Sequence, residues 1–134
     1  MRVERATLGA MRVHHLAIQV HDLERARDFY SRVLGLAELG RPRDGAVWLD
    51  CGGTVLMLER VSAVPLEDGF RTERTGLHLL ALAIGADERE AWEVRLRAHG
   101  VDVVERTAYT LYVRDPEGNR VGLSTLDVPS YFAR

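Results

Sequence analysis

Two stretches of this chain follow the same order of segments, and that repeat limits the folds open to it. HLAIQV from His15 answers HLLALAI from His78. FYSRVLG, ending at Gly35, answers VRLRAHG, ending at Gly100. VWLDCGG then matches LYVRDPEG, and LMLE matches VGLS. Each half reads βαβββ. Neither half alone can cover both faces of its sheet, so the two must share a core. The expected fold class is α+β, with two βαβββ modules forming a curved mixed sheet around a small-molecule cavity. The 134 residues suit one domain. The patterning places module one at about 12–61, a linker at 62–75, module two at about 76–125 and a tail at 126–134.

Local signals fill in the halves. Val13 to Val20 alternates as a strand, with His15, Ala17 and Gln19 on one face and the more apolar Leu16, Ile18 and Val20 on the other. Asp22 suits an N-cap. Leu23, Ala26, Phe29, Tyr30, Val33 and Leu34 follow at helical spacing up to Gly35. Short strands are expected at Leu36 to Leu39, Ala46 to Cys51 and Thr54 to Val61, with a turn at Arg41 to Gly45. In the second half, strands are expected at Gly76 to Ile84, Val101 to Glu105, Ala108 to Arg114 and Arg120 to Thr125. A helix capped by Asp87 and Glu90 runs to Gly100. DPEGN, Asp115 to Asn119, is a turn. The unpatterned 62–75 segment is expected to fold over a site. The tail, with Tyr131 and Phe132, is expected to dock apolar groups.

Charge and composition exclude several functions. Lys plus Arg number 18 against 20 for Asp plus Glu. That balance gives no basic footprint for nucleic acid. No apolar run approaches the roughly 18 residues of a membrane span. The start lacks the apolar core of a secretory signal, so the cytoplasm is the expected compartment, and Met11 is a plausible alternative start. Cys51 is the single cysteine and reads as a small residue at a strand end.

His15 and His78 take matching places in the repeat and are expected to enter one concavity. Two imidazoles converging from separate strands can hold a divalent metal. Histidines in core, turn or hydrogen-bonding roles fit the same pattern. His14 points the other way, and His21 and His99 sit near helix ends. Trp48 and Tyr112 also match across the repeat and can wall a cavity or pack as ordinary sheet residues. Arg114 can grip a carboxylate or phosphate, or pair with Asp115 at the turn.

HLAIQVHDLERARDFYSRVLG and YVRDPEGNRVGL resemble the vicinal oxygen chelate superfamily, which includes glyoxalases, bleomycin resistance proteins and extradiol dioxygenases. The resemblance covers about His15 to Thr125. It implies metal ligands at His15 and His78, and a glutamate in a GNxxE pattern after the DPEG turn. That place is Gly122 here. A further ligand place falls nearest Met57, a thioether ill-suited to hard ions. Glu59 shares the face of Met57 and can substitute as metal ligand and base, or it is a solvated carboxylate and water or substrate fills the empty corner. The expected function is therefore a divergent glyoxalase- or dioxygenase-like enzyme using Fe, Mn, Ni, Co or Zn between His15, His78 and Glu59. Trp48, Met57, Tyr112 and Arg114 would contact substrate. The alternative is a metal-free small-molecule-binding protein resembling the bleomycin resistance proteins. The resemblance also implies a homodimer.

Overall fold

The computed structural model describes residues 9–40, 45–65, 69, 73, 75–129 and 133. Strand β1 (His15–Val20) leads to α1 (Leu23–Arg27), which continues as a π-helical turn (Asp28–Val33). Strands β2 (Ala46–Asp50) and β3 (Val55–Arg60) complete the first half. The second half runs β4 (Leu80–Ala83), α2 (Arg89–Ala98), β5 (Glu105–Arg106), β6 (Thr110–Arg114) and β7 (Arg120–Ser124). The fold is α+β with one mixed sheet per half, in the orders β1-β3-β2 and β4-β7-β6-β5.

Most local signals act as their chemistry dictates. Asp22 is extended, and its carboxylate accepts from the Arg25 N–H at 3.1 Å. Leu23, Ala26, Phe29, Tyr30 and Val33 are buried as one stripe. Gly35, at φ +80, ends the helix, and the Leu36 N–H closes back on the Tyr30 carbonyl at 3.0 Å.

Four elements differ from expectation. The Gly76 to Ile84 strand shortens to β4, Leu80–Ala83, which leaves His78 ahead of it. The Leu36 to Leu39 strand shrinks to one bridge, Glu38 to Leu49. The Val101 to Glu105 strand is replaced by the two-residue β5, because Val101 instead closes α2 by donating to the Leu96 carbonyl. The N-cap of α2 is Glu88 rather than Asp87. Its carboxylate accepts from the Gly85 N–H at 2.6 Å, so no side chain caps the helix. The expected turn at residues 41–44 and the docking of Tyr131 and Phe132 fall outside the described residues.

Alternation turns Ile18, Val20, Val47, Leu49, Leu56 and Leu58 inward in the first half. It does the same for Leu111, Val113, Val121 and Leu123 in the second, and all join one core with the helices. The opposite face of the first sheet exposes Ala17, Gln19 and Trp48, while on that of the second Thr110 and Gly122 are buried. Polar contacts join the halves. Glu117 of the DPEG turn accepts from the His21 and Asp22 N–H groups at 2.7 and 2.9 Å. Arg95 of α2 donates to the Val33 and Arg32 carbonyls at 2.7 and 2.9 Å.

Candidate functional site

Register fixes which residues of the two halves correspond. In the first sheet Ala17, Met57 and Trp48 lie side by side across the strands. In the second, Ala81, Gly122 and Tyr112 form the same row. The sequence matches Trp48 with Tyr112 and Met57 with Gly122, and both matches are consistent with one pairing of these two rows. Counting back two residues along the first strand of each half pairs His15 with Leu79.

His78 is thus the counterpart of His14, which corrects the expected match of His15 with His78. The physical reason is a one-residue slip, which moves a side chain to the other face of a strand. Leu80 and Leu82 pack against the core, as Leu16 and Ile18 do. Leu79 therefore lies on the open side, and its Cδ1 comes within 3.4 Å of where a Gly122 Cβ would sit. Thr110 Cγ2 would lie 3.0 Å from that Cβ and Tyr112 Cδ1 3.7 Å. The place of the family carboxylate is packed with apolar groups.

His78 lies ahead of β4, and its Nε2 is 2.9 Å from Arg120 Nη1. A guanidinium has no acceptor, so the imidazole lone pair receives this bond and the ring proton sits on Nδ1. Arg120 also donates to Glu105 at 2.9 Å, and its Cζ lies 4.0 Å from the centre of the Tyr112 ring. His15 has different neighbours. Its Nδ1 is 3.0 Å from His14 Nδ1, and its ring stacks on Trp48 at 6.3 Å.

The donor set does not fit a divalent cation. Among the described residues no three His, Cys, Asp or Glu side chains could hold one. The one lone pair of His78 outside its N–H is already used, and Arg120 puts a fixed positive charge beside it. Glu59 shares the face of His15, but the two are four residues apart along paired strands. That separates their backbones by about 13 Å, with side chains standing off the sheet. The set of His15, His78 and Glu59 expected from sequence is not brought together. Arg114 also differs from expectation: its Nη1 donates to the Gly118 carbonyl at 2.9 Å, tying the turn.

A cavity of about 220 Å³ opens between the halves, with Ile18, Gln19, Leu79, His78, Asn119 and Arg120 in its walls. Pro65, Gly69 and Thr75 of the connecting segment line it too. Its base is rigid. Asp115 is buried and accepts from Tyr30 Oη at 2.6 Å, from the Glu117 and Asn119 N–H groups, and from the Asn119 side chain. Burial first, then the Asp115 charge and hydrogen bond, hold the Tyr30 phenol well above its ordinary pKa, so it stays neutral. The Cys51 thiol is likewise pushed up, by burial and then by Asp50, which disfavours the reactive thiolate. Sequence reasoning missed Arg120. Its parity with Gly122 on β7 was the available signal.

Comparison with known proteins agrees with this architecture. The model of the Glyoxalase/Bleomycin resistance protein/Dioxygenase superfamily matches residues 12–123. A glyoxalase domain-containing protein, RDO1, of Mycosarcoma maydis is 28% identical over 128 residues, covering 88% of this chain and 70% of that protein. A glyoxalase/dioxygenase from Nostoc punctiforme superposes with a TM-score of 0.76 at 21% identity, covering 92% of this chain and 96% of its own. The fosfomycin resistance protein FosX from Listeria monocytogenes gives 0.70 at 19%, covering 92% and 98%. The two-module fold and the extent of the family match together establish that this chain belongs to the Glyoxalase/Bleomycin resistance protein/Dioxygenase superfamily.

Proposed function

We propose that this chain is a metal-independent small-molecule-binding member of the superfamily, holding its ligand in the cavity between the halves. The observation that carries this reading is the packing of Thr110, Leu79 and Tyr112 around Gly122, so that the place of a metal carboxylate has no ligand and is walled by hydrocarbon. Use of the His78 lone pair by Arg120 supports it. The divergent metal-assisted enzyme needs at least one anionic ligand near His15, and Glu59 lies too far along the strand to supply it. The cavity offers polar donors at Gln19, Asn119 and Arg120 beside apolar walls at Ile18, Leu77 and Leu79. That mixture suits a small ligand with a polar end and an apolar body. A homodimer belongs to the same reading. Val13 and Trp48 are 62% and 42% exposed beside the open face of the first sheet, an apolar surface that a second copy would cover.

Thermal unfolding tests the binding claim. The protein is scanned against a panel of small acids, amides and phosphates, once in EDTA and once with each of Fe²⁺, Mn²⁺, Ni²⁺, Co²⁺ and Zn²⁺. The expected result is a ligand-dependent rise in Tm that is the same in EDTA. A rise seen only with an added ion would overturn the proposal.

A further inference from the structure

We infer that the cavity takes a small organic carboxylate, whose oxygens seat on Arg120 in exchange for Glu105. This deepens the metal-independent reading and rests on it. The cavity wall carries a guanidinium whose side chain is only 16% exposed. A charge so far removed from water binds an oxyanion more strongly than a surface charge does. The fork is also held in one orientation, by the Tyr112 ring beneath it and the His78 imidazole at its edge. A planar, fixed guanidinium matches a carboxylate in two parallel hydrogen bonds.

Glu105, one counter-ion of Arg120, is poorly anchored by comparison. Glu105 belongs to a two-residue edge strand, and its side chain is 56% exposed. It does not line the cavity. Glu105 already stands more than half in water, and the incoming carboxylate replaces its charge on Arg120 as it leaves. An incoming carboxylate with an apolar body exchanges one carboxylate for another and buries its body against Leu79, Leu77 and Ile18. Arg120 thus supplies positive charge from the protein itself, and Leu79 supplies apolar surface beside it.

Calorimetry with benzoate, benzamide and inorganic phosphate tests this, in EDTA, on the full chain and two variants. Benzoate is expected to bind at least tenfold more tightly than benzamide or phosphate. Arg120→Gln is expected to weaken benzoate about tenfold or more, the loss of a charge-assisted bond. Glu105→Gln is expected to do the opposite and tighten it several-fold, because the competing carboxylate is gone. A purely structural ion pair predicts that both variants weaken binding together, and that result would overturn the inference. So would equal binding of benzamide, tighter binding of phosphate, or no heat from benzoate at millimolar concentration. Should Arg120→Gln unfold, the Glu105→Gln arm still decides by its sign. Binding of benzoate only with an added divalent ion would instead defeat the metal-independent reading beneath it.

Discussion

The two halves share a backbone and differ in chemistry. The row Ala17, Met57, Trp48 in the first half carries a flexible thioether and an indole that is 42% exposed, with His15 two residues away. The matching row Ala81, Gly122, Tyr112 in the second half has lost a side chain at its centre, and Leu79 and Tyr112 close over the gap. Cationic character has moved to Arg120, which stands where the first half has Val55. A repeated fold thus preserves register and core, and leaves the open faces free to diverge.

The junction of the halves depends mainly on the second. Asp115→Ala strips the acceptor from Tyr30, Glu117 and Asn119 at once. The expected loss is about 3 kcal/mol or more, because buried donors are left unpaired. Urea unfolding measures it. A loss within 1 kcal/mol would mean that the halves are held by the shared core alone.

Parallel substitutions sharpen the contrast between the rows. Gly122→Glu forces a side chain between Thr110, Leu79 and Tyr112, and is expected to cost about 1–3 kcal/mol. Met57→Glu, at the matching half-buried place, is expected to cost about 1 kcal/mol or less. Equal costs in denaturant melts would show that the second row is no tighter than the first.

A further effect is in alkali. Tyr30 has its folded-state pKa raised above the ordinary 10.0, so its contribution is present below pH 10 and is lost as the pH rises further. All 18 basic side chains are arginine, so no lysine titration obscures the slope. Tyr30→Phe is expected to lower stability at neutral pH by about 1.5–3 kcal/mol, the value of a hydrogen bond to a charged group. It is also expected to flatten the fall between pH 10 and 11. An unchanged slope would contradict the environment described for the phenol.

Much of the fold could be read from the sequence because its signals are local. Asp22 caps, Gly35 stops, and Pro116 and Gly118 turn, each for reasons held within a few residues. Gly122 was legible as a missing carboxylate only through the resemblance to the superfamily. The rest of the site was not, for two reasons. Matching the repeats by histidine identity selects His78, whereas matching by apolar face, Leu16 and Ile18 against Leu80 and Leu82, selects Leu79. Only cross-strand pairing decides between them. Arg114 drew attention through its strand parity with Tyr112, yet it is spent on the Gly118 carbonyl. Arg120 reaches the same ring from the neighbouring strand. Such contacts between strands leave no mark on either strand's own pattern.

On the proposed reading, apolar packing around Gly122 and the Arg120 guanidinium stand where a metal site would be. Elemental mass spectrometry of untagged protein, purified without chelator and then offered Fe²⁺, Mn²⁺, Ni²⁺, Co²⁺ and Zn²⁺, tests it most directly. Metal well below one equivalent per chain is expected under every condition, in the native protein and in His15→Ala alike. Near-stoichiometric uptake that disappears in His15→Ala would contradict it.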